Sequence, residues 1–270
     1  MFKDHSHEKK KALNREFKSK MLHKIVETIS HTEIRDMIGF RGGAVLHLAY
    51  SSPRYTNDLD FIWLQSDSFE NKSKIISILS EEKLSIESIP MNLNIKKMDE
   101  NTLRLSYNIE SNDGGFKPTF IIESTDKSNE VYDLVKRNTS KGYIQVEKPE
   151  DILMDKIIAT INRFKTRQSI KDTDVFDMCF LMNKKRYLTG EKIIDKARYY
   201  NINQSELLQL ISESSEYIKY NKNKIWNNIC EQLDSTYILN IDKDIIFGVT
   251  LNIMKFSKDL LIKEGQMKLF

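Results

Sequence analysis

The residues best suited to chemistry lie close together, in the stretch 39–61. Asp58-Leu59-Asp60 alternates acid, apolar, acid. On a β-strand alternate side chains share one face, so the two carboxylates would stand roughly 7 Å apart along the chain. Hard oxygen donors at that separation suit Mg²⁺ or Mn²⁺, which leave coordination positions open for substrate phosphates. A carboxylate pair can also bridge two metal ions about 3.5–4 Å apart, the arrangement of in-line phosphoryl and nucleotidyl transfer. Asp is disfavoured in strands, and two of them just ahead of Phe61-Ile62-Trp63-Leu64 are awkward as a purely structural pair. The plain alternative is an edge strand carrying two solvated acids.

Gly42-Gly43 supplies a second part. Without Cβ atoms, two glycines let backbone N–H groups approach an anion, and the start of a following helix favours negative charge. Taken alone, the pair is equally well explained as a tight strand-to-helix turn. The sequence contains neither Gly-x-x-x-x-Gly-Lys-Ser/Thr nor Gly-x-Gly-x-x-Gly, which excludes a P-loop and the dinucleotide fingerprint. One arrangement uses both parts: a triphosphate over the glycine turn, with its metals on the paired aspartates.

The elements that must position these groups follow from periodicity. A short strand, Asp36 to Phe40, runs into Arg41-Gly42-Gly43, and a helical run, Ala44 to Tyr50, follows. Pro53 breaks that helix, and Tyr55 to Leu64 reads as a polar turn feeding an apolar strand. Ser68 to Leu79 reads as an exposed helix. Leu93 to Met98, Thr102 to Ile109 and Thr119 to Ser124 read as strands, with Asn112-Asp113-Gly114-Gly115 as a hairpin turn. Ahead of them a helix is expected over the first thirty residues, because Leu13, Phe17, Met21 and Ile25 recur every fourth position beside Leu22 and Ile29. Its other face carries Lys9, Lys10, Lys11, Arg15, Lys18, Lys20 and Lys24, either a solvated face or a contact for nucleic-acid phosphate. From Pro149 onward the pattern is helical, which sets a domain boundary near residues 146–150. The class is α+β: a small mixed sheet behind one helix, then a mostly helical C-terminal domain.

Composition narrows the function classes. The chain has 270 residues, enough for one or two domains, and 42 Lys+Arg against 39 Asp+Glu leave a formal charge of +3. That excess does not mark a nucleic-acid binder, but it leaves room for a local basic face. Two cysteines, Cys179 and Cys230, make neither a disulfide framework nor a Cys-rich zinc site. No stretch approaches the ~20 apolar residues of a membrane span, and no apolar leader follows the N-terminus, so a soluble, cytoplasmic protein is expected. His5, His7, His23 and His47 show no ligand spacing. Cys179 reads as core, and Trp226 and Tyr237 as either core or a base-stacking surface.

Gly42-Gly43-Ala44 with Leu46, followed by Arg54-x-Thr56-x-Asp58-Leu59-Asp60-Phe61, resembles the first motif of the AbiEii/AbiGii toxin family. That family belongs to the nucleotidyltransferase superfamily of the DNA polymerase beta type. Ala44 stands where the family usually has Thr, and Thr56 where it has Ser. Two later stretches extend the resemblance to about residues 38–183. Phe120-Ile121-Ile122-Glu123 resembles the strand that ends in a third metal-directed carboxylate. Residues 151–182 resemble the block in which Lys156, Ala159 and Arg163 precede two acids, here Asp174 and Asp177. Thr173 replaces that block's usual Arg, for which Arg167 or Lys171 could substitute.

The resemblance implies a nucleotidyltransferase core over residues 1–148. A helical domain, 149–270, would contribute Lys156 and Asp174 to the site. Asp58, Asp60 and Glu123 would hold Mg²⁺ or Mn²⁺. Gly42, Gly43, Arg54, Thr56, Lys156 and Arg163 would contact the NTP, and Asp174 would position a base or lysine. It further implies transfer of NMP to an acceptor, RNA and specifically a tRNA 3′ end, by the toxin of a toxin–antitoxin or phage-defence pair, with a cognate antitoxin as partner and no membrane. Two alternatives stand beside it: an inactive member of the fold acting as a binding module or antitoxin, and an Asp-x-Asp nucleotide-sugar glycosyltransferase.

Overall fold

The computed structural model describes residues 5–56, 58–65, 68–100, 102–109, 119–123 and 134–267, with backbone alone at 5–14, 109, 119, 120, 123, 235 and 267. The hairpin turn expected at 112–115 lies outside the described residues, as do the side chains of His5, His7, Lys9, Lys10, Lys11 and Leu13. The chain divides into two compact units: Met1–Ser51 with Tyr55–Lys148, and Ser52–Arg54 with Pro149–Phe270.

The first unit opens with α1 (His5–His31), whose Met21, Leu22, Ile25 and Ile29 are fully buried. The four-residue apolar spacing thus forms the face that packs. A 3₁₀ turn, Glu33–Asp36, follows, so the strand expected from residue 36 begins two residues later, as β1 (Ile38–Arg41). Then come α2 (Gly43–Tyr50), β2 (Asp58–Trp63) and α3 (Phe69–Glu81). Ser68 caps α3 by accepting a hydrogen bond from the Asn71 backbone N–H, which satisfies one of the helix's orphan donors. This helix is not wholly exposed, since Lys72, Ile75 and Leu79 are buried; the Lys72 ammonium donates to the carbonyls of Asp99 and Glu100 at 2.7 Å each.

The remaining strands are β3 (Ser85–Ile86), β4 (Ile89–Met98), β5 (Thr102–Ile109), β6 (Thr119–Glu123), β7 (Leu134–Asn138) and β8 (Tyr143–Glu147). They form one sheet in the order β3-β4-β5-β6-β2-β1-β8-β7. Pairing is antiparallel except for β2 with β6 and β1 with β8, so the sheet is mixed. The β7–β8 hairpin has no counterpart in the strands read from sequence. It docks on the end of α1 through Gly142, where a Cβ would meet the Ser30 carbonyl oxygen at 2.1 Å, so only glycine permits the approach.

The second unit is helical: α4 (Pro149–Arg167), α5 (Asp172–Phe180), a 3₁₀ stretch Met182–Tyr187, α6 (Gly190–Arg198), α7 (Gln204–Tyr220), α8 (Lys222–Cys230), α9 (Ser235–Ile238) and α10 (Lys243–Met267). Val175, Phe176, Ile218, Ile225, Ile229, Leu233, Ile246 and Phe247 make its core, with Trp226, Tyr237 and Cys179 packed against it. Trp226 and Tyr237 therefore serve packing. Cys179 is half-buried, and burial pushes its thiol up to about 11, which makes it a poor nucleophile. Among the described residues no helix is long and apolar enough to cross a membrane.

Candidate active site

Strand directions bring the chemistry of the first unit together. β1 and β2 are antiparallel with Arg41 opposite Asp60, so the glycine turn leaving β1 emerges beside the start of β2, where the acids stand. Leu59 is fully buried between an exposed Asp58 and a half-buried Asp60, which puts both carboxylates on the face opposite the Leu59 side chain. Both neighbours of β2 are hydrogen-bonded strands, so the pair lies in the interior of the sheet rather than on an edge.

Gly42 makes the turn. Its φ of 76° and ψ of −156° belong to a region essentially reserved for glycine. A Cβ there would sit 3.4 Å from Asp60 Oδ2, so the absent side chain also gives the carboxylate its room. α2 starts at Gly43, directly after the turn. Thr56 Oγ1 donates to the Asp58 carbonyl oxygen at 3.3 Å and fixes the entry to β2.

A further acid at this turn was missed in the sequence. β8 runs parallel to β1 with Val146 opposite Phe40, so Glu147 arrives at the same end of the sheet. Its side chain is fully buried, and Oε2 accepts the Gly42 N–H at 3.1 Å. Tyr50, at the end of α2, donates its hydroxyl to the Glu147 carbonyl at 3.0 Å. The only signal in the sequence was that Glu147 ends an alternating stretch, Tyr143 to Val146, and a charged residue there reads as solvated. As for Glu123, the register sets its backbone opposite Ile62, with Ile121 opposite Asp60. Its Cα is thus two residues, about 6.6 Å, further along the sheet than that of Ile121. Its side chain lies outside the described residues.

The other expected residues form a cluster inside the second unit. The Arg54 guanidinium is bidentate on Asp177, with Nε to Oδ1 at 2.6 Å and Nη2 to Oδ2 at 2.9 Å. The Lys156 ammonium lies 2.8 Å from both Asp174 Oδ1 and Asp177 Oδ2. Arg163 Nη1 donates to Asp174 Oδ2 at 2.6 Å. Lys156, Asp174, Asp177 and Arg54 are all buried, and the Arg163 side chain remains about one-third exposed. Burial alone would drive the Asp177 carboxyl upward, but Lys156 and Arg54 outweigh it and hold it below the ordinary range. Burial likewise works against charged Lys156 and Arg54, and the two carboxylates reverse that, raising both. The cationic stripe read along α4 is therefore uneven: Lys156 is buried, Arg163 reaches the same Asp174 carboxylate from a half-buried position, and only Arg167 is exposed.

Among the described residues, no group of three or more His, Cys, Asp or Glu is arranged to hold a metal ion. The two adjacent carboxylates of β2 suit Mg²⁺, which is commonly held by one or two carboxylates and completed by substrate phosphates and water.

Over residues 24–241 the sequence matches the profile of the family described as nucleotidyl transferase AbiEii toxin, type IV TA system. No functionally curated protein matches it. Two solved structures from Helicobacter pylori are similar in fold. One, a protein assigned as a nucleotidyltransferase, is 18% identical with a TM-score of 0.53, the match covering 92% of this chain and 96% of that one. The other, JHP933, is 19% identical with a TM-score of 0.53, covering 96% and 97%.

Proposed function

The chain belongs to the AbiEii family of nucleotidyltransferase toxins, and on that premise we propose that it transfers NMP from an NTP to RNA, a tRNA 3′ end being the specific acceptor, in a reaction that needs Mg²⁺ or Mn²⁺. Family membership sets aside sugar transfer and a purely non-enzymatic role. What carries the reading is the approach of the glycine turn to Asp60 on a face shared with Asp58. Asp58 and Asp60 are the hard donors that would hold the cation. When bound, it would offset phosphate charge and orient the α-phosphate for in-line attack by an acceptor hydroxyl, with pyrophosphate leaving.

Each residue then has a defined part. Gly42 leaves room beside Asp60 for a phosphate to approach, and Gly43 offers the first turn of α2 to negative charge. Thr56 holds the chain at the start of β2. Glu147 fixes the Gly42 peptide, so it acts on the turn rather than on the substrate. Arg54 and Asp177 are frame residues, and their pairing keeps Lys156 and Asp174 charged within a buried cluster. Offsetting phosphate charge by Lys156, positioning by Asp174, phosphate contact by Arg163 and a third carboxylate at Glu123 belong to the same proposal. So does a cognate antitoxin, the partner a type IV system implies, and a role in phage defence.

Thermal denaturation tests the site. With Mg²⁺ present, one of the four NTPs should raise the melting temperature of the wild-type protein, and Asp58→Asn should abolish that shift while leaving the free protein's melting point unchanged. A shift that survives both Asp58→Asn and Asp60→Asn would place the nucleotide elsewhere.

A further inference from the structure

The first unit contains a cleft of about 1030 Å³, walled by α1, α2 and the β7–β8 hairpin. It lies at the upper end of the size range of small-ligand sites. Its walls combine two kinds of group. His23, His47 and Tyr55 form a run of rings, with centroids 5.9 Å apart for the histidines and 5.5 Å for His47 and Tyr55. Ser19, also in the wall, is hydrogen-bonded to His47 Nε2 at 2.9 Å and holds that ring in place. Arg137, on the edge strand β7 and opposite the cleft-lining Ile144, supplies positive charge there, whereas Lys136 beside it turns to the other face of the strand. Lys136 Nζ lies 4.4 Å from the Tyr143 ring centroid, and the Arg137 guanidinium 4.8 Å from that of Tyr50. Neither forms an ion pair with a carboxylate among the described residues. The acids of the cleft, by contrast, are engaged: Glu16 pairs with Lys20, and Glu27 with Lys24 and Lys141.

We infer that this cleft binds the single-stranded end of the acceptor RNA. The inference rests on the proposed transfer and assigns its second substrate to a place. Rings flanked by cations are the combination that holds a single strand, because every base offers a face for stacking and every linkage a charge for Lys or Arg. Position agrees. Tyr55 precedes Asp58 by three residues, a reach of at most about 11 Å of chain, and His47 lies four residues, about 6 Å, along α2 from Gly43. Both rings therefore lie within a short reach of chain from the glycine turn and the paired aspartates.

The test uses the full-length protein and a short fluorescein-labelled single-stranded RNA, read by anisotropy at several salt concentrations. Lys24→Glu combined with Arg137→Glu should raise Kd by roughly 10- to 100-fold and flatten the salt dependence by about two counterions. Tyr55→Ala should weaken binding about tenfold, and Tyr55→Phe should restore it. Stabilisation by NTP with Mg²⁺ should stay at the wild-type value in all three variants. RNA affinity within twofold of wild type in the double variant would overturn the assignment, as would simultaneous loss of NTP stabilisation. If the double variant binds RNA normally but no longer binds a protein antitoxin, the cleft is a protein-docking surface and the inference is wrong. Label transfer from NTP that persists while the cleft variants are silent removes only this inference. A wild-type protein that binds neither RNA nor NTP removes the proposed function with it.

Discussion

Both units gather acids and bases, but at different depths. In the helical unit, Asp174 and Asp177 are buried and their oxygens are taken by Arg54, Lys156 and Arg163. In the sheet unit, Asp58 is exposed and Asp60 half-buried, and they lie on a shared face beside a turn without side chains. Charges removed from water and paired in that way are costly to break, and they hold a conformation. Charges left near water cost little to keep and can receive a cation. The difference separates a cluster held together by its Arg54–Asp177 frame pair from a surface open to a cation, although both contain residues that sequence alone would group into one site.

That separation is breakable, and the largest effect should fall on chemistry alone. Asp60→Asn is expected to lower nucleotide transfer by about 10³-fold, with urea midpoints close to wild type. An equal loss of stability would make Asp60 part of the frame. Asp177→Ala should do the reverse. It leaves Arg54 and Lys156 buried without their shared partner, at a cost of about 3–5 kcal/mol in urea denaturation. A change below 1 kcal/mol would show that the cluster is not a frame.

The pH dependence sharpens the contrast. The Asp177 carboxyl is held below its ordinary value, so its contribution is complete above the usual carboxylate range and is lost as pH falls through the folded-state value. Lys156 is raised, so its contribution is complete below the ordinary ammonium value and is lost as pH climbs beyond it. Urea stability should therefore decline on the acid side, and Asp177→Asn should flatten that decline. An acid limb with the same slope in the variant would assign it to other carboxylates.

Smaller effects belong to the turn. Glu147→Ala removes the acceptor for the Gly42 N–H and should cost about 1–3 kcal/mol, whereas Glu147→Gln keeps a carbonyl there and should retain most of the stability. Matching losses in the two variants would mean that the charge, not the hydrogen bond, holds the turn. Gly42→Ala forces a side chain into a positive-φ conformation beside Asp60, at about 1–2 kcal/mol by denaturation.

Much of this was legible from residue order. Asp58-Leu59-Asp60 fixed a shared face because strand periodicity is two, and Gly42-Gly43 marked a turn because few other residues make one there. The apolar spacing of Met21, Ile25 and Ile29 marked the packed face of α1. Pairing across long separations was not legible. Arg54 sits in a motif that reads as nucleotide-contacting, yet its partner is Asp177, more than a hundred residues away. Glu147 looks like a solvated strand end until the parallel register of β8 with β1 brings it to the glycine turn. Lys156 has the same periodicity as an exposed basic face, and only the two carboxylates that receive it make its burial affordable.

The central claim is that the sheet unit's paired aspartates serve nucleotide transfer. Its most direct test is a denaturing gel of total RNA incubated with the protein, Mg²⁺ and each NTP, labelled in turn at the α- and γ-phosphate. The account predicts that α-label enters RNA with one or more of the NTPs, that γ-label never does, and that both Asp58→Asn and Asp60→Asn abolish the signal. Absence of α-label with all four NTPs, or undiminished labelling by the two variants, would contradict it.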